Sequence, residues 1–221
     1  MDTELLIETF PRLYHMAHSN AWKGIQQHGL LSTTALLDLF EVTGAKRHEI
    51  ESTRRRDCVA IEHPIHGRAV IRDNKPMDEV GLRRALHGVS PREWLELLNR
   101  KVFFWLTEDR VETLLSANAY RHDEHCVLTL RTAALVENYY DQICLCPMNS
   151  GCTKPFPHPR DRGIFYRIAD YPFEYWRRKK AGAKKAIVEL AVDYSVFDIF
   201  KYVELVTVRN CHGAVHELWK I

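Results

Sequence analysis

Two polar residues lie in apolar stretches where their side chains could do chemistry. His15 ends a short predicted strand that begins at Arg12, and taken alone it is typical of a core histidine. Glu189 lies within AIVELAV, where the two-residue period of a strand puts it on one face with Ile187 and Ala191. Such a carboxylate either reaches water from a half-exposed strand or lies in a cleft. In a water-excluded cleft it would stabilise a developing positive charge.

Three cysteines form a second candidate group. Cys144, Cys146 and Cys152 are followed by His158, and thiolates with an imidazole can hold zinc in a tetrahedral site. The C-x₂₋₄-C spacing typical of zinc sites is absent. Cys144 and Cys146 would share one face of a strand, so packing explains them equally well. We expect no metal here, and a zinc-binding protein is the weakest alternative.

Basic residues cluster in three places, near many aromatic residues. The clusters are Arg54–Arg56, the pair Arg160 and Arg162, and the stretch Trp176–Lys185. Basic side chains hold phosphates and aromatic rings stack on bases, so these clusters favour contact with nucleic acid. The alternative is a solvated surface around core aromatics. The formal net charge of +2 does not by itself indicate a nucleic-acid partner.

The commonest phosphate-binding and hydrolase motifs are absent. The sequence has neither G-x-G-x-x-G nor G-x-x-x-x-G-K-[ST], and neither H-E-x-x-H nor G-x-S-x-G. No apolar stretch approaches the length of a transmembrane helix, so we expect no membrane partner. Six cysteines without a recognisable signal peptide favour reduced thiols and a cytoplasmic protein. Enzyme classes that lack such motifs stay compatible with the sequence.

The elements that must position these residues predict an α+β fold. Strand patterns over KVFFWL, CVLTLRT, KAIVELAVD and KYVELVTVR combine β-branched residues with alternation, and helical patterns concentrate in the first half of the chain. Cys58–Ile61 and Arg68–Ile71 predict a hairpin. The chain suits a single domain over residues 1–221, with an insertion at about 41–98.

Local signals mark several helix ends. In SPREWLELLN, Ser90 is expected to cap a helix that has proline first and Glu93 closing a capping box. Ser19 is expected to cap a short helix that stops at Gly29. An amphipathic helix is expected from about Asp109 to Tyr120.

Three stretches, in this order, resemble the ADP-ribosyltransferase fold. They are LYH before a short helix and GLL, the strand VFFWL before a helix that ends in SANAY, and a late strand with one glutamate. The likeness is to the diphtheria-toxin-like His–aromatic–Glu branch, which includes the poly-ADP-ribose polymerases and the RNA 2′-phosphotransferases. The chain is also similar to bacterial DNA-modifying toxins, and as a whole it resembles an uncharacterised family of bacterial domains. The resemblance covers roughly residues 10–35, 100–132 and 185–209.

This resemblance implies a split antiparallel β-sheet core and a role for each motif. His15 would hydrogen-bond ribose hydroxyls of NAD⁺ and fix its pose. Glu189 would hold the 2′-hydroxyl of the nicotinamide ribose and stabilise the oxocarbenium-like transition state. Phe104 or Trp105 would take the middle aromatic position, where the family's usual residue is tyrosine.

The helix after the aromatic strand would contribute to nicotinamide binding. Ser116 would hydrogen-bond the carboxamide, and Tyr120 would stack on the ring. The small residues that usually follow the family's histidine are here Met16 and Ala17, which is a departure from the pattern.

Substrate contacts are expected from Met148–Gly163, a polar loop that contains several glycines and prolines. The candidates there are Asn149, Ser150, Arg160 and Arg162. A diphosphate needs cations or backbone N–H groups, for which Arg54–Arg56 are further candidates.

The sequence therefore predicts a toxin-like NAD-dependent ADP-ribosyltransferase, a glycosyltransferase with NAD as substrate and DNA or RNA as the favoured acceptor. One alternative is a catalytically inactive nucleotide- or RNA-binding module of the same fold. Another is an RNA 2′-phosphotransferase, which needs more arginines near His15 than the sequence places there. No inhibitory partner protein can be identified from the sequence.

Overall fold

A computed structural model describes all 221 residues, which form ten helices and twelve strands. The helices are Thr3–Thr9 (α1), Trp22–His28 (α2), Thr33–Leu39 (α3), Gly44–Ser52 (α4), Glu79–Ala85 (α5), Pro91–Asn99 (α6), Glu108–Leu115 (α7), Thr132–Tyr139 (α8), Phe173–Lys179 (α9) and Ala183–Ala186 (α10). The strands are Arg12–His18 (β1), Leu30–Leu31 (β2), Val59–His63 (β3), Gly67–Ile71 (β4), Lys101–Trp105 (β5), His125–Arg131 (β6), Ile143–Cys146 (β7), Tyr166–Arg167 (β8), Glu189–Asp193 (β9), Ser195–Val196 (β10), Val203–Asn210 (β11) and Gly213–Lys220 (β12).

The architecture is α+β, as the sequence predicts. Eight strands form one sheet in the order β12-β11-β6-β1-β5-β9-β7-β8, and every neighbouring pair is antiparallel. Six of the ten helices precede β5, in agreement with the expected concentration of helices in the first half. None of the helices combines the length and the apolar character that a membrane-crossing helix requires.

The large sheet divides at the junction of β1 and β5. These two strands are paired at a single position, Tyr14 opposite Trp105. By contrast, β1 follows β6 over its whole length, from Arg12 opposite Arg131 to His18 opposite His125. The strands β5 and β9 are paired over all five residues of each. Two well-paired half-sheets therefore diverge beyond one point of contact, and a cleft opens between them.

Both faces of the sheet are covered, which explains the near-continuous apolar character of its central strands. On one face Leu13, Phe104, Leu128 and Leu190 belong to the largest apolar cluster. On the other face a smaller cluster joins β1 and β6 to α7. Burying one such side chain contributes about 1.5–3 kcal/mol, so these clusters hold the two half-sheets in place.

Residues 41–98, the expected insertion, contribute no strand to the large sheet. They form α4, a separate two-stranded hairpin of β3 and β4, α5 and α6. The predicted hairpin is confirmed, with Val59 opposite Ile71 and His63 opposite Gly67. One face of the hairpin packs with Phe40, Ile50 and neighbouring residues in a small apolar cluster of its own.

The predicted helix ends agree with the structure in part. Ser90 caps α6, and Glu93 completes the capping box. Gly29 ends α2 with φ of +79°, but the cap at the N-terminus is Ala21 and not Ser19, because Ser19 and Asn20 form the turn that leads into the helix. The helix expected to reach Tyr120 ends at Leu115.

Other elements differ from the sequence prediction for physical reasons. The strand expected from Lys185 begins only at Glu189, because Ala183–Ala186 form a helical turn. The helices α1, α3, α4, α8, α9 and α10 were not predicted. In α4 only Ile50 and Ser52 are buried, so the helix lacks the apolar stripe that a periodicity search detects.

Candidate active site

A cavity of about 780 Å³ lies where the half-sheets diverge. Its first wall consists of His15, Phe103, Trp105 and Glu189, and we call this the sheet wall. Its second wall comes from the β3–β4 hairpin and is formed by Ala60, Arg68, Val70 and Arg72; we call this the hairpin wall. The loop of residues 149–151 also lines the cavity. His15 and Glu189, the two residues singled out in the sequence, thus reach one cavity.

Glu189 is the first residue of β9 and is 4% exposed. It lies opposite Trp105 on β5 and opposite Cys146 on β7. Its Oε2 accepts a hydrogen bond from the backbone N–H of Ser150, at 3.0 Å. Burial raises the pKa of Glu189 to about 7, while Ser150, Arg160 and Arg110 oppose this shift. The carboxyl group therefore changes its charge near neutral pH.

The loop that contacts Glu189 is held from behind by Arg160, which is 2% exposed. Its guanidinium donates to the backbone oxygens of Ser150, at 2.9 Å, of Cys152, at 2.9 Å, and of His158, at 3.0 Å. These contacts use both ends of the guanidinium fork. Arg160 does not line the cavity, so the expected substrate contact is corrected to a positioning role for the loop.

His15 is fixed by one hydrogen bond across the cleft. Its Nδ1 lies 2.8 Å from the backbone oxygen of Phe103. Because a carbonyl oxygen only accepts, Nδ1 carries the proton and Nε2 keeps a free lone pair. Burial lowers the pKa of His15 to about 4; the hydrogen bond to Phe103 opposes this shift and the charge of Arg72 adds to it. His15 is therefore a neutral hydrogen-bond acceptor at physiological pH.

The two residues approach the cavity from opposite faces of the sheet. Tyr14, Trp105 and Glu189 share one face through direct pairing. Alternation along β1 therefore places His15 on the other face. Both line the cavity, because the half-sheets separate next to the Tyr14–Trp105 contact.

The middle aromatic position is decided by alternation along β5. Trp105 and Phe103 line the cavity. Phe104 points into the main apolar cluster and is 1% exposed, which corrects its expected place in the site. Trp105 is also the direct neighbour of Glu189 in the sheet.

Two further predicted residues lie outside the cavity. Ser116 is an exposed residue at the end of α7. Tyr120 is buried: its hydroxyl donates to Asp73 at 2.8 Å, and the Arg72 guanidinium lies 4.9 Å from its ring centre. The expected contacts of Ser116 and Tyr120 with nicotinamide are corrected, since the early end of α7 turns this segment toward the hairpin.

The predicted loop residues separate into two groups. Asn149 and Ser150 line the cavity. Arg162 lies outside it and forms an exposed ion pair with Glu93, at 3.0 Å. The loop passes the cavity at residues 149–151 and then leaves it, so residues near each other in sequence have different roles.

The run Arg54–Arg56 does not supply free cations to the cavity. Arg54 donates to the backbone oxygen of Lys75, and Arg56 is exposed and outside the cavity. Arg55 reaches the cavity edge but is buried, and it donates to the backbone oxygens of Ile50 and Arg72. It therefore stabilises the end of β4.

The residues missed in the sequence are Arg68 and Arg72. The segment RAVIR runs from Arg68 in β4 to Arg72, the residue after this strand, and its side chains alternate. Ala69 and Ile71 pack in the hairpin's apolar cluster, and Arg68, Val70 and Arg72 lie on the opposite face. This alternation is visible in the sequence. The sequence does not show that this face of the hairpin lies against the cavity.

The remaining clusters lie away from the cavity. Cys144 and Cys146 are buried in β7, and all six cysteines are free thiols. No three His, Cys, Asp or Glu side chains are arranged to hold a metal ion. The basic stretch Trp176–Lys185 forms α9, α10 and their connection; Lys179 lies 4.9 Å from the ring centre of Trp176.

A model described as a family of unknown function, DUF7002, matches residues 11–203. The chain belongs to the DUF7002 family. No curated protein matches its sequence. The matched segment runs from the residue before β1 to the first residue of β11 and includes both walls of the cavity. Within this DUF7002 protein, the cavity can hold a flat ring beside Trp105, offer a neutral acceptor at His15 and place a carboxylate at Glu189.

Proposed function

We propose that this DUF7002 protein is an NAD⁺-dependent ADP-ribosyltransferase. The observation that carries the proposal is the shared cavity of His15 and Glu189, with the aromatic strand β5 between their strands. The three stretches that resemble the ADP-ribosyltransferases thus lie on three neighbouring strands, β1, β5 and β9. A cytoplasmic location agrees with this use of NAD⁺ and belongs to the same proposal.

In this proposal Glu189 stabilises the charge that develops during the reaction. The bond between C1′ of the ribose and the nicotinamide nitrogen breaks, and nicotinamide leaves with the electron pair. The ribose becomes cationic, and a carboxylate in a water-excluded site stabilises such a cation strongly. The positive nicotinamide ring of bound NAD⁺ would also lower the pKa of Glu189 from its value of about 7 in the free protein, which favours the active carboxylate.

The other residues of the sheet wall bind and orient the substrate. His15 Nε2 accepts a hydrogen bond from a ribose hydroxyl, since Nδ1–H is occupied by Phe103. The half-buried Trp105 offers an aromatic face next to Glu189. Arg160 keeps the Ser150 N–H on the Glu189 carboxylate by holding the loop. The acceptor, DNA or RNA in this proposal, attacks C1′ and loses its proton.

The test combines calorimetry with NAD⁺ and an assay for released nicotinamide. We expect binding and release with the wild-type protein, and binding without release with Glu189→Gln. Binding without release by the wild-type protein would favour the inactive nucleotide-binding module. Absence of NAD⁺ binding would end the proposal. Mass spectrometry of DNA and RNA oligonucleotides then identifies the acceptor.

A second candidate is RNA 2′-phosphotransfer, and one observation favours it. Arg72 lines the same cavity and its charge lowers the pKa of His15, which burial already depresses. This supplies an arginine near His15 that the sequence did not reveal. Incubation of NAD⁺ with a 2′-phosphorylated oligonucleotide distinguishes the two activities, because only the phosphotransferase removes the 2′-phosphate.

A further inference from the structure

The hairpin wall carries two arginines with few acidic partners. None of the protein's ion pairs involves Arg72. Its guanidinium donates one hydrogen bond, to the backbone oxygen of Met16 at 3.1 Å. Arg68 meets only Glu62, at 4.0 Å, and both side chains are more than half exposed. Such an exposed contact at this distance is weak, so both arginines keep most of their binding capacity.

The fold holds Arg72 in place. Buried Arg55 donates from Nε to the backbone oxygen of Arg72, at 2.9 Å, and its second amino group bonds Asn99 at 3.0 Å. The Tyr120 ring lies under the Arg72 guanidinium, 4.9 Å away. The neighbouring carboxylate of Asp73 also lines the cavity; its Oδ1 accepts a hydrogen bond from the Tyr120 hydroxyl, at 2.8 Å, while Arg72 donates to Met16. A preorganised guanidinium without a carboxylate partner is typical of an anion site.

The two arginines line the same cavity. Both lie on the hairpin face opposite the apolar cluster. His18, at the end of β1, also lines the cavity; burial lowers its pKa, and the charges of Arg72 and then Arg68 lower it further. Arg72 and Arg68 therefore both act on the side of the cavity that holds His18, where the charge of Asp123 opposes them.

We infer that Arg72 and Arg68 form a diphosphate-binding subsite on the hairpin wall of the cavity. Guanidinium groups bind phosphate oxygens in bidentate fashion, and two of them match the charge of a diphosphate. The subsite rests on the geometry alone. Its assignment to the diphosphate of NAD⁺ rests on the proposed function. The expected insertion then has a role, since its Arg68 and Arg72 bind the phosphates in a cavity whose other wall belongs to the large sheet.

The test measures the binding of inorganic pyrophosphate and of ADP-ribose by calorimetry. Arg72→Gln should weaken both affinities by at least about tenfold, since a charge-assisted hydrogen bond is lost. The affinities of Arg72→Lys should lie between those of the wild type and of Arg72→Gln, because lysine keeps the charge but not the forked guanidinium. The matched control is Arg83→Gln, an exposed arginine of α5 outside the cavity, which should bind both ligands with wild-type affinity.

Two results would overturn the subsite: no pyrophosphate or ADP-ribose binding by the wild-type protein, or wild-type affinity in Arg72→Gln. Should Arg72→Gln fail to fold, Arg68→Gln replaces it, because Arg68 is exposed and should tolerate the change. The Arg68→Gln substitution should weaken pyrophosphate binding by about fivefold at low salt, and by less at high salt. Wild-type affinity in that variant also refutes the subsite.

Glu189→Gln separates this inference from the proposed function. Its pyrophosphate affinity should remain that of the wild type, since Glu189 lies on the sheet wall. Arginine-dependent pyrophosphate binding without any nicotinamide release would support the subsite while the proposed reaction fails. Nicotinamide release by Arg72→Gln with a wild-type KM for NAD⁺ would support the reaction and overturn the assignment of the subsite to the NAD⁺ diphosphate.

Discussion

The two walls of the cavity differ in the sign of their charged groups and in how far water reaches them. On the sheet wall Glu189 is 4% exposed, and burial moves its pKa to about 7. On the hairpin wall the Arg68 side chain is 67% exposed and keeps its charge in contact with water. A carboxylate that stabilises a transient cation gains most where water is excluded. Cations that capture a phosphate from solution work where the ligand can reach them. If the proposed function holds, the reaction and the binding of the diphosphate therefore take place on different parts of the chain.

The largest effect is expected from Glu189→Gln on the sheet wall. The substitution removes the carboxylate but leaves an amide oxygen to accept from the Ser150 N–H. Nicotinamide release should fall by about 10²–10³-fold, because a preorganised electrostatic contact is lost. Steady-state kinetics with NAD⁺ measure it.

The control for this change is Glu137→Gln, an exposed glutamate of α8. It should release nicotinamide at the wild-type rate. Equal rates for Glu189→Gln and the wild type would remove the functional contrast between the two walls.

Gly29→Ala should disrupt the sheet wall through the backbone. Gly29 has φ of +79°, and an added Cβ would lie 2.4 Å from the backbone of Phe197. It leads into β2, which pairs with β10 just after the Glu189 strand. We expect a loss of about 3 kcal/mol in the free energy of unfolding, from strain and overlap. Chemical denaturation measures this loss.

Gly24→Ala is the matched control within α2, where an added Cβ meets no atom within 4 Å. It should stabilise the protein by about 0.5–1 kcal/mol, because alanine favours the helix. A similar loss in both variants would show that the Gly29 backbone is not the constraint.

The pH dependence of nicotinamide release sharpens the comparison. Because the reaction needs the Glu189 carboxylate, kcat/KM should fall about tenfold per pH unit below the pKa, as expected for one required ionised group. The pKa of Glu189 is about 7 in the free protein, so this decline should begin near neutral pH. His15, with a pKa of about 4, stays neutral throughout and adds no second limb above pH 5. A decline that begins only near pH 4.5, the ordinary pKa of a glutamate, would contradict the raised pKa of Glu189.

The smallest effect is expected from Arg162→Ala, which belongs to neither wall. Arg162 pairs with Glu93 on the surface, and exposed ion pairs contribute little to stability. The Tm, the nicotinamide-release rate and the affinity for pyrophosphate should all match the wild type. Weaker pyrophosphate binding would extend the anion site beyond the hairpin wall.

Much of the site could be predicted because its residues break local patterns. Glu189 is a carboxylate in an apolar stretch, and His15 is a histidine in another, so each was conspicuous in the sequence. The strand expected to end at His15 continues to His18. Arg72 was overlooked because an arginine on an alternating hairpin is ordinary. Phe104 and Trp105 could not be separated, since alternation gives two faces but does not say which face meets the cavity.

The sequence by itself determined the α+β class, the β3–β4 hairpin, the capped helix after Ser90 and the candidate pair His15 and Glu189. The class, the hairpin and the helix depend on local periodicity and turn chemistry. His15 and Glu189 each stood out as a polar group in an apolar stretch, and the resemblance to the ADP-ribosyltransferases joined them as a pair. Only the tertiary structure decided which side chains meet. Because β1 and β5 pair only at Tyr14 and Trp105, the half-sheets separate beyond this contact and leave room for the cavity. The packing of the hairpin's apolar face turns Arg72 toward the cavity. Both depend on contacts between residues far apart in the chain, which no local pattern encodes.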